Sequence, residues 1–192
     1  DDSYPFYNVY GGTQDNNTQG GPSGTFKSDG ISNSDWYVVL GGDGHQPATE
    51  PGNPNIIYSQ SQEGNIYRID KTNMETTYIK PQNSLGEDYE RFNWDSPILV
   101  SSHDPKRLYF GSQRLWRSEN RGDSWEAISK DLTKNEERLS LPIMGRKQSW
   151  DNAWDVYAMS TYNTITSVSE SSVDDDIISV SYTHLTLPTN DV

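Results

Sequence analysis

A short motif recurs along this chain. Tyr10-Gly11-Gly12-Thr13-Gln14, Tyr58-Ser59-Gln60-Ser61-Gln62 and Tyr109-Phe110-Gly111-Ser112-Gln113 share the pattern Tyr-x-x-(Ser/Thr)-Gln. Their surroundings agree as well: Ile56 and Ile57 precede Tyr58 as Leu108 precedes Tyr109, and Ile66-Tyr67-Arg68 follows as Leu115-Trp116-Arg117 does. A unit repeated at a fixed period cannot bury its faces alone and must stack on its copies. The period of about 50 residues is that of sheets with four short strands, as in propeller and kelch arrays. In the second unit, strands are expected over residues 37–48, 55–62, 65–70 and 76–79, separated by turn chemistry at Pro51-Gly52-Asn53-Pro54 and Glu63-Gly64. The third unit reads as strands at 96–100, 108–110 and 115–117 with an end near 125–128. Residues 37–79 and 93–128 are therefore each expected to form one antiparallel four-stranded sheet, the two side by side. A fourth unit begins at 164–168 and continues at 176–178. The first unit lacks an inner strand and the fourth stops early. The fold expected for residues 1–178 is thus an all-β, partial β-propeller of about three blades whose remaining blades lie elsewhere in a longer parent chain.

Composition agrees with strands and narrows the partners. Only 31% of the 192 residues are hydrophobic, so any core is thin, but 6 Trp and 12 Tyr suit wide pleated surfaces. A net charge of −13 repels nucleic acid and anionic membranes alike. The absence of Cys excludes a disulfide scaffold, a thiolate metal site and a Cys nucleophile. No apolar run reaches the ~18 residues of a membrane span. Residues 129–160 form a polar crossover too long for an ordinary connection, which points to a functional or packed excursion. The stretch Ser181-Tyr182-Thr183-His184-Leu185-Thr186-Leu187-Pro188-Thr189-Asn190 resembles translated sequencing-adaptor read-through of metagenomic gene fragments. Residues 179–192 are accordingly expected to be a non-native tail without packing on a sheet; alternation of Thr with apolar residues is the strand-like alternative.

Residues 118–125 read Ser-Glu-Asn-Arg-Gly-Asp-Ser-Trp, which resembles the Asp-box pattern Ser-x-Asp-x-Gly-x-(Ser/Thr)-Trp with Asn120 in place of Asp. Asn keeps the Asx-type turn, Gly122 supplies a positive φ and Trp125 is expected to fold back over the hairpin, so Ser118, Asn120, Gly122, Ser124 and Trp125 have a structural role. Val9-Tyr10-Gly11-Gly12-Thr13-Gln14-Asp15-Asn16, Gly41-Gly42-Asp43-Gly44, Arg91-Phe92-Asn93-Trp94-Asp95-Ser96-Pro97 and Ser129-Lys130-Asp131-Leu132-Thr133 are similar to bacterial sortilin-like propeller proteins, many of which carry a glycosyl-hydrolase designation. The resemblance spans about residues 4 to 178. It implies a secreted or cell-envelope protein with more blades, and a protein, peptide or polysaccharide ligand.

In a four-stranded meander the second-to-third hairpins share one end with the crossovers between sheets. That end collects Asp15, Asn16, Glu63 and Arg114 from hairpins and Asp43, Arg91, Asn93, Trp94 and Asp95 from crossovers. Two of these carboxylates could flank a glycosidic bond as acid and base or nucleophile, with Asp43 and Asp95, then Asp15, the candidates. Asp and Asn in Gly-rich loops more often cap turns. Asn16, Glu63, Arg91, Asn93, Trp94 and Arg114 are the candidate binding residues, and Trp94, Trp150, Trp154 and Tyr157 could offer faces to sugar rings. No metal site and no cofactor are expected. Asp15-Asn16-Asn17-Thr18-Gln19-Gly20 opens like a calcium loop, but Gln19 and Phe26 stand where acidic ligands are needed. His45 and His103 lack metal-ligand spacing and are expected to bond loop carbonyls. Asp174-Asp175-Asp176 reads as a solvated turn with weak cation binding as the alternative, and Arg68 and Arg117 suit a strand ladder better than a carboxylate pocket. Two function classes follow: a binding module, favoured here, and part of a glycoside hydrolase.

Overall fold

The computed structural model describes residues 1–143, 145–147, 149 and 161–182. They form an all-β chain whose sheets are antiparallel throughout. The first sheet has the order β1 (Asn8–Gly12), β2 (Thr18–Pro22), β3 (Tyr37–Leu40). The second runs β4 (Ala48–Glu50), β5 (Asn53–Ser61), β6 (Asn65–Asp70), β7 (Glu75–Tyr78), and the third β8 (Ile98–Val100), β9 (Leu108–Gly111), β10 (Leu115–Ser118), β11 (Glu126–Ala127). A small ribbon pairs β12 (Pro142–Ile143) with β13 (Arg146–Lys147), and a fourth sheet pairs β14 (Ile165–Glu170) with β15 (Ile178–Tyr182). Among the described residues no helix is long and apolar enough to cross a membrane.

Strand alternation sends successive side chains to opposite faces, and each sheet uses both faces. Ile57 joins Val39 and Ile69, with Tyr10, Tyr37 and Tyr67, between the first and second sheets. Its neighbours Ile56 and Tyr58 join Ile66, Ile98, Leu108, Phe110 and Trp116 between the second and third, where Ile79 and Phe92 are added from the intervening connection. Tyr109, Leu115 and Ile165, with Leu99, Val168, Ile178 and Val180, fill the space between the third and fourth. The repeated tyrosine therefore points from each sheet into the next. A modest apolar content suffices because the core is three thin layers rather than one central mass. The inner strands are also neighbours, β4 beside β8 and β8 beside β14.

The strand expected over 37–48 divides. Its first part, β3, pairs with β2 through Gln19↔Val38 and Gly20↔Tyr37 and completes the first sheet, whereas the inner strand of the second sheet is the short β4. The four-stranded sheet accordingly spans residues 48–78 rather than 37–79. The break lies at Gly41-Gly42, where Gly42 has φ +106° and a side chain would press on Ser61. Between 93 and 128 the expected four-stranded order is present as β8-β9-β10-β11 read in reverse. The last strand, β15, starts two residues later than expected and pairs Ile165↔Tyr182 and Val168↔Val180, so residues 179–182 belong to the sheet. Residues 183–192, the remainder of the expected non-native tail, lie outside the described residues.

Candidate functional site

The crossover end of the array is built by hairpins and connections that hydrogen-bond one another. The 41–47 connection seats on the β1–β2 hairpin: Asp15 N–H donates to Asp43 Oδ1 at 2.9 Å, Asn17 N–H to the Gly42 carbonyl at 3.1 Å, and Gly44 N–H to the Thr13 carbonyl at 3.0 Å. A Cβ on Gly12 would lie 2.0 Å from the His45 carbonyl oxygen and one on Gly44 2.4 Å from that of Asn17, so this approach requires glycine on both sides. The hairpin glutamines of the repeat hold the connections entering their own sheets. Gln62 Oε1 accepts from Asp43 N–H at 3.4 Å, and Gln113 Oε1 from Arg91 N–H at 2.8 Å. Glu63 N–H donates to the Trp94 carbonyl at 3.2 Å, and Asn93 Nδ2 donates to Thr164 Oγ1 at 2.8 Å. Asp15, Asp43, Glu63, Arg91, Asn93, Trp94, Asp95 and Arg114 thus gather at one end. Asn16, exposed at the tip of the β1–β2 hairpin, belongs to the same end.

Their environments differ. Asp43 is buried and accepts the Asp15 amide, the work of a turn anchor. The Asp95 carboxylate is largely exposed, 3.9 Å from Nδ1 of a His45 imidazole that is itself buried. His45 Nε2 has no hydrogen-bond partner among the described residues, contrary to the expected carbonyl bond; His103 behaves as expected, with Nε2 2.8 Å from the Ser171 carbonyl oxygen. Arg91 reaches Asp131 at 2.6 Å and the Asn163 carbonyl at 3.3 Å. Burial opposes ionisation of Asp131, but the Thr133 and Arg91 bonds outweigh it and hold its pKa below the ordinary range. Trp150, Trp154 and Tyr157 lie outside the described residues.

Two elements of this end went unread in the sequence. Glu90 sits in an acidic run but is buried, accepting from Arg114 Nε at 3.1 Å, from Trp116 Nε1 at 2.9 Å and from the Ser112 hydroxyl. The Arg114 guanidinium lies 4.7 Å from the Trp116 ring centroid and also meets Glu87 at 3.3 Å. Lys80 donates to the Glu63 carbonyl at 2.9 Å and lies 4.6 Å from the Phe92 centroid; burial pushes its ammonium pKa down against the pull of Glu63. A signal for Glu90 existed only in its eventual partners, Arg114 and Trp116, far along the chain.

The opposite end is structural. In the 118–125 turn, Ser118 Oγ accepts from Asn120 N–H and from Gly122 N–H at 2.8 Å, while Asn120 Oδ1 accepts from Ser124 N–H at 2.9 Å; Gly122 has φ +87°. Trp125 packs beside Phe110 of its own sheet, and its Nε1 donates to the Ile79 carbonyl just past the end of the second sheet. Arg121 grips Glu50 with two bonds of 2.6 Å, and Arg68 donates to Asp123 at 2.8 Å, so this turn fastens the third sheet to the second. Arg117 instead pairs within its own sheet, with Glu119 and Glu126. Among the described residues the one group with clustered ligand atoms is Asp174-Asp175-Asp176, exposed and already engaged by Arg107 through Asp175. A scan against protein-family models finds no match, and a search of curated proteins finds none either.

Proposed function

We propose that this chain is a section of a sortilin-like, Asp-box β-propeller and acts outside the cytoplasm as a binding module, taking a protein, peptide or glycan ligand at its crossover end. The observation that carries the reading is the repeated glutamine clamp: Gln62 and Gln113 each hold the connection entering their sheet through a backbone N–H, which sets the exposed side chains of the 79–97 connection, Trp94 and Asp95 among them, on a rigid frame. The blade arrangement is supported by the adjacent inner strands, by the tyrosine that points from each sheet into the next, and by the turn geometry at 118–125. It is supported too by Val9, which is 41% exposed where its repeat equivalents Ile57 and Leu108 are 0% exposed against a preceding sheet. Another blade of the same repeat covers this face in the intact protein.

The glycoside-hydrolase alternative rests on the exposed Asp95 carboxylate beside the buried His45 imidazole. Amide chemical-shift mapping with polysaccharides and a peptide library, run beside a reducing-end assay, separates the two. Perturbations centred on Glu63, Arg91, Trp94 and Arg114 without turnover are expected. Turnover that is lost in Asp43→Asn or Asp95→Asn would establish the hydrolase instead, and perturbations confined to the opposite end would refute both.

A further inference from the structure

The structure assigns a neutral-oligosaccharide subsite to the cleft between the end of β7 and the 79–97 crossover. This rests on the binding-module reading and narrows it to one ligand class and one place. In the repeat, 79–97 is the same connection as 41–47 but carries a long excursion, and excursions of that length on a rigid scaffold are where binding groups concentrate. Both of its ends are fastened. Ile79 N–H donates to the Ile66 carbonyl at 3.0 Å while the Ile79 carbonyl accepts from Trp125; Phe92 is buried, with its ring centroid 5.4 Å from that of Phe110. The excursion has its own turn, with Ser84 N–H donating to Glu87 Oε2 at 2.9 Å and Glu87 N–H to the Ser84 carbonyl at 3.1 Å.

Between these anchors lies a cleft of about 500 Å³ lined by Tyr78, Lys80, Gln82, Asn83 and Tyr89, with Glu90 beneath. Its charges are already matched. Glu87 and Glu90 share Arg114, and the Lys80 ammonium is held by the Glu63 carbonyl and the Phe92 ring. What meets a ligand is the ring of Tyr89, 78% exposed, and that of Tyr78, half-exposed, with the side-chain amides of Gln82 and Asn83 beside them, each already donating one bond through its nitrogen, to the Lys80 and Asp88 carbonyls respectively. Aromatic faces take the C–H faces of a sugar ring, and amides pair with hydroxyls; an internally neutralised wall gives no advantage to an ionic ligand.

The test is affinity electrophoresis of the whole chain in gels containing a neutral polysaccharide (β-glucan, galactomannan or xylan) or the anionic polygalacturonate. At least one neutral polymer is expected to retard the protein, with little change at about 0.5 M NaCl. Tyr89→Ala, at an exposed position that leaves folding unaffected, should weaken that retardation about fivefold or more. Retardation by polygalacturonate alone, or equal retardation of wild type and Tyr89→Ala, overturns the subsite. If Trp94→Ala abolishes binding and Tyr89→Ala does not, the binding-module reading stands and the subsite falls. If neither polysaccharides nor a peptide library bind, both fall.

Discussion

Arg121 offers the sharpest test of how the sheets are held together. Glu50, at the end of β4, has 3% of its side chain exposed, and Arg121 meets it with two bonds of 2.6 Å; Tyr58 Oη donates to the same carboxylate at 3.4 Å. Replacing Arg121 by Met keeps the aliphatic stem and removes the charge, leaving a carboxylate with two neutral donors, Tyr58 Oη and Asn53 Nδ2 at 3.3 Å. Loss of one member of a fully buried pair costs about 3–5 kcal/mol. The Arg121 side chain is 34% exposed, so water reaches the carboxylate from one side and about 2–3 kcal/mol is expected here. Glu50→Gln added to Arg121→Met removes the stranded charge and should recover about half of that loss. Urea unfolding followed by Trp fluorescence at low protein concentration measures both. A loss below about 1 kcal/mol for Arg121→Met, or no recovery in the double variant, would refute the idea that this pair fastens the third sheet to the second.

Glu170 is held below its usual pKa of 4.5: burial pushes the carboxyl up, but bonds from the Ser101 hydroxyl and from the Ser102 amide and hydroxyl outweigh it. The folded chain therefore binds fewer protons here than the unfolded one, so this stabilisation is complete above the unfolded value and is lost as pH falls through the lower folded value. Glu170→Gln should flatten the acid limb of the stability–pH curve, and an unchanged limb would contradict the assignment. Removal of the glutamine clamp by Gln113→Ala should release one end of the 79–97 connection at a cost of about 1 kcal/mol, read as about fivefold faster hydrogen exchange at the Arg91 amide. Unchanged exchange there would mean that the buried Glu90 network holds the connection by itself.

The repeat was readable because its two ends have fixed work: Tyr10, Tyr58 and Tyr109 fill the space toward the next sheet, and Gln62 and Gln113 tie the connections. Residue type and spacing encode both jobs. The partner of a strand is not so encoded. Tyr37-Val38-Val39-Leu40 has the pattern of any half-buried strand, and only the turn at Gly42 shows that it closes the preceding sheet rather than opening the next. At the candidate site, the loop positions of Asp43, Glu63, Arg91 and Trp94 followed from meander geometry. Glu90 did not, because an acidic run normally stays in water and this one residue is drawn inside by Arg114, Trp116 and Ser112. His45 was likewise hidden, since its burial arises from the glycine-lined approach of two connections.

The proposed blade array is tested most directly at its open face. Val9 and Val38 are 41% and 52% exposed on the side of the first sheet where the repeat places a neighbouring blade. Uncovered sheet faces associate, although a net charge of −13 opposes this. Sedimentation velocity over a concentration series at moderate salt should show reversible self-association of the wild type, and Val9→Lys with Val38→Lys should return it to a monomer with the same unfolding midpoint. A wild-type chain that stays monomeric throughout and unfolds cooperatively would contradict the claim that this face is built to be covered by another blade.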